Sequence, residues 1–307
     1  MTQGQTLVFD RVTKRFGAVA AVSDLDFTVE PGRVTGFLGP NGAGKTTSLR
    51  MLLGLVDATS GRATIGGKAY RDLDRPMSTV GASLEAAFHP GRSGRGHLAV
   101  VATAAGIPAS RVPAVLDQTG MTPYADRRVG GYSLGMRQRL GLATALLGDP
   151  GVLVLDEPIN GLDPEGIRWI RSFLRALASE GRTILVSSHL LSEVRQTVDD
   201  VVVIAGGRLR FVGPLSGLEG SAARVGTVSS LVDSPDRAAL AAALAAAGHA
   251  PQSTAEGLSV DLAPVEVGRV ALAAGVPLSA LSASGMGLED EFLALVADPE
   301  RAAEGGR

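Results

Sequence analysis

One glycine-rich stretch of the chain reads Gly39-Pro40-Asn41-Gly42-Ala43-Gly44-Lys45-Thr46-Thr47. It matches the pattern G-x-x-x-x-G-K-[ST], in which glycines allow a tight turn whose backbone N–H groups face a phosphate. The apolar segment Val34–Leu38 precedes it, and Thr46–Leu55 follows with helical character. The helix amino terminus adds positive potential, while the pattern directs Lys45 to phosphate oxygens and Thr46 to Mg²⁺. The stretch therefore predicts a nucleotide site on a strand–loop–helix unit.

Two adjacent acids, Asp156 and Glu157, directly follow the apolar run Val152–Leu155. Acids at the end of a buried strand are costly unless a cation lies beside them. A phosphate-bound Mg²⁺ explains Asp156, and Glu157 can orient and deprotonate the attacking water. An ordinary polar strand end with exposed acids is the alternative. Beside a phosphate loop, the pair predicts hydrolysis of the bound nucleotide.

A second strand–helix–strand unit follows these acids. Asp163 caps a helix, and the next strand, Thr183–Ser188, ends immediately before His189. Such crossovers are almost always right-handed, and they leave the carboxyl ends of both strands at the rim where open α/β sheets bind ligands. His189 is therefore expected near Asp156, within reach of the γ-phosphate, although a lone histidine is often a structural residue.

These residues, in this order, resemble the ATP-binding cassette of ABC transporters over roughly residues 6–217. The stretch Gly39–Thr47 resembles Walker A, Leu153–Glu157 resembles Walker B, Asn160–Asp163 resembles the D-loop, and Ser188-His189 resembles the histidine switch. The resemblance implies an α/β fold of the P-loop nucleoside triphosphatase type, with antiparallel β and α-helical subdomains. It also implies ATP and Mg²⁺ as the bound molecules, and ATP hydrolysis as the activity.

The resemblance assigns further residues. Phe16 stands where the family stacks an aromatic ring on adenine, and Ser133 and Gly135 stand in the signature motif, which caps ATP held by the other cassette. Glu85 stands in place of the Q-loop glutamine that touches Mg²⁺ and water. The alternatives are a core phenylalanine, ordinary helix capping and a solvent-exposed glutamate, respectively. The implied catalytic residues are Glu157 and His189; the metal ligands are Thr46, Asp156 and Glu85; the ATP contacts are Phe16, Gly39, Pro40, Asn41, Gly42, Ala43, Gly44, Lys45, Thr46, Thr47, Ser133, Gly135 and Asp163.

Two departures from the family pattern point to one branch of it. The signature segment reads Tyr132-Ser133-Leu134-Gly135-Met136, with Leu134 and Met136 in unusual places, and Glu85 replaces glutamine. Both departures resemble the bacitracin- and lantibiotic-resistance exporters, in which a separate cassette subunit serves a separate membrane permease. The resemblance thus implies a homodimer of cassettes that energises export of a drug, peptide antibiotic or lipid-like cargo from the cytoplasmic face of the membrane.

Composition limits the other classes of function. The 307 residues carry 29 Lys+Arg against 31 Asp+Glu and no Cys, which excludes a disulfide scaffold and a cysteine nucleophile and argues against a nucleic-acid partner. The apolar runs are far shorter than the ~20 residues that span a bilayer, and no secretory signal is evident. We therefore expect a soluble chain that meets the membrane only through its partner.

The chain is expected to divide into two domains. Residues 1–219 form the ATP-binding domain, with a helical subdomain at about 89–132, and residues 220–307 form a small α/β accessory domain because the composition shifts near residue 220. Two other functions remain open. One is a soluble ABC-type ATPase acting on nucleic acid or the ribosome, and the other is a regulatory ATPase outside transport.

Overall fold

The computed structural model describes residues 3–84, 88–218, 229–284, 292–293 and 295–297, without the side chain of residue 193. The chain divides into two compact units, residues 1–215 with 295–307, and residues 216–294. The domain boundary expected near residue 220 falls in the stretch 219–228, outside the described residues, so that division remains a prediction.

The larger unit contains two sheets. Its strands are β1 (Leu7–Phe16), β2 (Val19–Val29), β3 (Val34–Leu38), β4 (Ser60–Ile65), β5 (Val80–Ser83), β6 (Val152–Leu155), β7 (Thr183–Ser188), β8 (Asp200–Ala205) and β9 (Arg208–Pro214). The main sheet has the order β5-β6-β7-β3-β8-β9; its first five strands are parallel and β9 is antiparallel to β8. The predicted strands at β3, β6 and β7 are confirmed, and all three are buried throughout because helices flank a parallel sheet.

Helices connect these strands. The helical elements are α1 (Lys45–Leu52), α2 (Pro76–Thr79), α3 (Gly94–Ala104), α4 (Arg111–Gln118), α5 (Leu134–Leu146), α6 (Pro164–Ser179) and α7 (Leu191–Val194), with 3₁₀ turns at Tyr70–Asp72, Thr122–Tyr124 and Val129–Gly131. Helix α6 begins as predicted: the Oδ1 of Asp163 accepts a hydrogen bond from the N–H of Gly166 at 2.8 Å. Residues Ile170, Leu174 and Leu177 form its buried face. Helices α3 and α4 lie within residues 89–132, where the sequence predicts a helical subdomain.

The second sheet is antiparallel, with the order β2-β1-β4. The apolar pattern of the sequence predicts strands at Thr6–Asp10 and Leu25–Val29, and the observed β1 and β2 are longer than these segments. Register shifts between Phe9 and Val12 and between Val12 and Lys14 interrupt the period-two alternation, so the pattern conceals the second half of the hairpin. The rings of Phe9 and Phe27 stack at 4.4 Å within this sheet, and the ring of Phe27 lies 5.5 Å from that of Phe37 on β3, which joins the two sheets.

The smaller unit has the element order β10 (Ser229–Asp233), α8 (Arg237–Ala246), β11 (Gln252–Ser253), β12 (Leu258–Val260), α9 (Pro264–Ala273) and β13 (Ala280–Ser284). Its antiparallel sheet has the order β11-β12-β10-β13, which is the split βαβ arrangement of ferredoxin-like folds. Both helices contribute to its core, through Leu240 and Leu244 on α8 and Val267 on α9. The strand expected at Ala223–Ser229 and the helix expected at Leu288–Val296 fall largely outside the described residues.

Within the described ranges, no helix combines the length and the apolar character that crossing a membrane requires.

Candidate nucleotide site

The glycine-rich loop joins β3 to α1, as the sequence predicts. Gly42 and Gly44 have φ angles of 81° and 103°, in the region that L-residues seldom enter. A Cβ on Gly44 would lie 2.6 Å from the carbonyl oxygen of Ala21 on β2. The hairpin therefore packs so closely against the loop that this position requires glycine, and the loop keeps the tight turn that phosphate binding needs.

Lys45 is the first residue of α1, directly after the loop, and is only 6% exposed. Its ammonium donates hydrogen bonds to the carbonyl oxygens of Gly39 at 2.6 Å and Pro40 at 3.3 Å, and lies 3.6 Å from Oε1 of Glu157. Burial lowers the pKa of Lys45, and the charge of Glu157 opposes that change. The loop residues from Pro40 to Thr47, together with Ala21 and Glu157, line a cavity of about 250 Å³. The lysine is thus held where phosphate oxygens can replace its carbonyl partners.

Thr46 and Asp156 form an oxygen-ligand pair beside this cavity. The hydroxyl of Thr46 donates a hydrogen bond to Oδ2 of Asp156 at 2.7 Å. Mg²⁺ takes oxygen ligands, and in nucleotide sites it is held by few protein groups together with phosphate oxygens and water. Within the described ranges, no three His, Asp or Glu side chains converge to form a protein cage. The donor set therefore fits Mg²⁺ bound with a nucleotide.

Glu157 and His189 meet at the carboxyl ends of neighbouring strands. Strands β6 and β7 pair through Leu155 and Val186, and this register places Oε2 of Glu157 2.9 Å from Nδ1 of His189. The two side chains are 24% and 28% exposed, so both remain accessible from solvent. A carboxylate in this position can accept a proton from water while the imidazole fixes its orientation.

The signature segment faces a different cavity. Ser133 caps α5, because its hydroxyl accepts a hydrogen bond from the N–H of Met136 at 3.2 Å. The helix begins at Leu134, directly after this cap. A Cβ on Gly135 would lie 3.4 Å from Leu162. Ser133, Gly135 and Asp163 line a cavity of about 550 Å³ whose described lining shares no residue with that of the phosphate-loop cavity. Ser133 and Gly135 of one chain thus line a cavity separate from that of its own phosphate loop.

Phe16 and Glu85 are the two remaining candidate site residues. Phe16 ends β1 and is 53% exposed, with the ammonium of Lys14 4.9 Å from its ring centre, which overturns a core role for this ring. It is not among the described residues that line the phosphate-loop cavity. Glu85 lies outside the described residues; its neighbours Ser83 and Leu84 line a cavity of about 200 Å³ that also touches Glu157.

Sequence reasoning missed Ser187, which is fully buried in β7. Its hydroxyl donates to Oδ1 of Asp156 and accepts from the N–H of Glu157 at 3.0 Å. The available signal was a hydroxyl residue that directly follows the apolar run of β7, one position before the carboxyl end of the strand. The partners of this hydroxyl can be assigned only once β6 is known to lie beside β7.

Comparison with known proteins identifies the family. A family model described as ABC transporter matches residues 22–160. Over 205 residues, the chain is 37% identical to the lantibiotic transport ATP-binding protein SrtF of Streptococcus pyogenes, which covers 66% of this chain and 88% of SrtF. The chain belongs to the ATP-binding proteins of ABC transporters. This cassette is therefore an ATP-binding, ATP-hydrolysing subunit, and the predicted family and activity are confirmed.

A second relative and a solved structure are also ATP-binding proteins of ABC transporters. The cassette is 43% identical over 202 residues to the bacitracin transport ATP-binding protein BcrA of Bacillus licheniformis, covering 64% of this chain and 66% of BcrA. A solved ATP-binding subunit of an ABC transporter superimposes with a TM-score of 0.63 at 25% identity, covering 70% of this chain and 92% of that one. The predicted α/β fold class is confirmed.

Proposed function

We propose that this cassette powers export through a separate membrane permease, bound at the cytoplasmic face of the membrane. The observation that carries the proposal is the convergence of Lys45, Thr46, Asp156, Glu157 and His189 on one rim of the main sheet. A buried cation, an oxygen-ligand pair and a carboxylate–imidazole pair are the groups that phosphoryl transfer to water requires.

Each group has one proposed task. Lys45 neutralises the β- and γ-phosphates, and Thr46 and Asp156 hold Mg²⁺, which would offset the charge that develops on the phosphate oxygens. Glu157 orients the attacking water and accepts its proton. His189 holds the Glu157 carboxylate, to which its Nδ1 lies 2.9 Å away, and offers its other ring nitrogen to the γ-phosphate.

The working unit is proposed to be a dimer. The phosphate loop and the signature segment of one chain line separate cavities, so a nucleotide in the loop lacks the Ser133 side of its site. A second copy related by twofold symmetry would supply that side to both nucleotides at once. Closure on two ATP and reopening after hydrolysis would then follow from the higher affinity of the closed state for ATP.

The proposed cargo class is a peptide antibiotic. Its support is the similarity to the bacitracin and lantibiotic transport proteins BcrA and SrtF. The test deletes the gene in its host and measures the growth-inhibiting concentrations of bacitracin and a lantibiotic. Lower concentrations in the deletion strain, restored by the wild-type gene and not by Glu157→Gln, support the proposal. Unchanged concentrations for both antibiotics contradict this cargo class.

A groove on the helical region is the proposed permease-docking surface. It has a volume of about 910 Å³ and is lined by α2 and the residues just before it, by the end of α3 and the start of α4, and by the residues that follow α5. Val100 and Ile107 provide apolar surface, and Arg75 and Asp149 provide charge at the same groove. This combination suits a short amphipathic helix of a partner, whose apolar face would enter the groove.

Val100→Glu is expected to abolish co-purification of the permease from detergent while leaving the ATPase rate of the isolated cassette unchanged. A buried, unpaired carboxylate would oppose docking, whereas Val100 is 49% exposed in the free chain. Val212→Glu is the matched control, because Val212 is also 49% exposed and lies on β9, away from the groove. Equal permease recovery with both variants would contradict the docking assignment.

Phe16→Ala is expected to weaken ATP binding by roughly 1–3 kcal/mol, the usual contribution of base–aromatic stacking. Binding of inorganic triphosphate should not change, because the loop that holds phosphate is untouched. Isothermal titration calorimetry measures both ligands. The control is Val19→Ala, which removes the exposed cross-strand neighbour of Phe16. A parallel loss for ATP and triphosphate would show that Phe16 does not recognise the base.

A further inference from the structure

The hydroxyl of Ser187 contacts both acids of the proposed catalytic site. It donates its single hydrogen to Oδ1 of Asp156 and accepts the backbone N–H of Glu157 at 3.0 Å. The directions of these bonds are fixed, since a carboxylate only accepts and an N–H only donates. One hydroxyl, with one hydrogen and two lone pairs, satisfies both groups in a fully buried position.

The bond to Asp156 completes a clamp on that carboxylate. The other carboxylate oxygen of Asp156, Oδ2, accepts a hydrogen bond from the hydroxyl of Thr46 at 2.7 Å. The backbone N–H of Asp156 donates to the carbonyl of Ser83 on β5 at 2.8 Å. Both carboxylate oxygens are thereby held, one from the phosphate-loop helix and one from β7. Without Ser187, the carboxylate of Asp156 would keep, among the described residues, only its bond to Thr46, and that bond would be lost if the Thr46 hydroxyl turned to a metal ion.

The bond to Glu157 stabilises an unusual backbone. Glu157 has a φ of 49°, a left-handed conformation that residues other than glycine seldom adopt. This conformation turns the chain out of β6. The N–H of Glu157 bonds to Ser187, and the side chain reaches both Lys45 and His189. The direction in which the carboxylate points thus depends on a turn that Ser187 holds.

We propose that Ser187 is a positioning residue for ATP hydrolysis. Its hydroxyl orients Asp156 for the metal and holds Glu157 in the turn that aims its carboxylate at the water; the inference rests on the proposed roles of those two acids. Because Ser187 does not line the phosphate-loop cavity, its loss should slow turnover without removing the contacts that hold the nucleotide.

The test compares steady-state ATP hydrolysis and nucleotide affinity in the full chain. Ser187→Ala is expected to lower kcat by roughly 10–100-fold, the usual cost of removing a hydrogen bond that orients a metal ligand. The Kd for ATP without Mg²⁺ should equal that of the wild type. Ser187→Thr, which keeps a hydroxyl, should recover most of the rate. Ser187→Cys should stay slow, since a thiol is a weak donor and acceptor.

Thr183→Val is the matched control. Thr183 is buried at the opposite end of β7, and its hydroxyl donates to the carbonyl of Gln5 at 2.7 Å. It should lower the melting temperature and leave kcat unchanged. The proposal is overturned if Ser187→Ala and Ser187→Cys both hydrolyse ATP at the wild-type rate. Where the Ala variant does not fold, wild-type hydrolysis by the Cys variant alone overturns it. It is also overturned if Thr183→Val lowers kcat as much as Ser187→Ala does.

Glu157→Gln, measured in the same experiments, distinguishes failure of the proposed role of Glu157 from failure of the proposed role of Ser187. Wild-type hydrolysis by Glu157→Gln would contradict the proposed function of Glu157 itself. An inactive Glu157→Gln together with fully active Ser187 variants would leave that function intact and remove only the positioning role of Ser187.

Discussion

Glu157→Gln is expected to bind Mg-ATP and to lose ATP turnover by roughly 10²–10⁴-fold, the range that a positioned general base contributes. The amide keeps the size of the side chain, and its oxygen can still face Lys45 at the position where Oε1 of Glu157 now lies 3.6 Å away. It cannot accept a proton from water. Nucleotide binding and the closing of the dimer should therefore persist while cleavage stops.

The expected consequence is an ATP-bound dimer that accumulates. Size-exclusion chromatography with and without ATP, followed by analysis of the bound nucleotide, measures it. Glu30→Gln is the matched control, because Glu30 is an exposed carboxylate at the end of β2, and this variant should elute and hydrolyse like the wild type. Near-wild-type hydrolysis by Glu157→Gln would remove Glu157 from the catalytic role.

Lys45→Ala is expected to weaken ATP binding by roughly 1.5–3 kcal/mol, the usual contribution of a hydrogen bond to a charged group, and to reduce hydrolysis below detection at micromolar ATP. The ammonium of Lys45 is buried within the loop, against the Gly39 and Pro40 carbonyls. The substitution removes the positive charge that faces the phosphates. The repulsion between the phosphates and the Glu157 carboxylate is then no longer offset.

Calorimetry with ATP and with ADP measures this effect. Lys68→Ala is the control, since Lys68 is 58% exposed and its ammonium pairs only loosely with Asp74 at 3.7 Å; its ATP affinity should match the wild type. Melting curves for both variants separate a binding defect from unfolding. An unchanged ATP affinity in Lys45→Ala would contradict the assignment of the phosphate loop.

The sequence is most informative where one residue type has a single physical use. Gly44 is needed because the backbone takes a φ of 103° against the carbonyl of Ala21. The cap of α6 at Asp163 follows from a carboxylate three residues before an N–H that needs an acceptor. The crossover between β6 and β7 predicts that His189 lies near Asp156, and its Nδ1 lies 2.9 Å from the carboxylate of the next residue, Glu157.

Other features could not be read from local patterns. The second half of the β1–β2 hairpin escaped prediction because bulges break its alternation. The smaller unit reads as alternating strands and helices, but its strand order β11-β12-β10-β13 depends on which strands pair. Glu85 lies outside the described residues, so its role as a metal ligand stays a prediction.

The residue types of the motifs in this cassette indicate their chemistry, because a glycine-rich turn that ends in lysine and threonine, and an acidic pair after an apolar strand, have few other physical uses. The clamp on Asp156 and the turn at Glu157 arise instead from the packing of β7 beside β6, which brings Ser187 against two residues that lie about thirty positions earlier. Pairing between strands so far apart is set by burial of the whole sheet, and no local pattern records it.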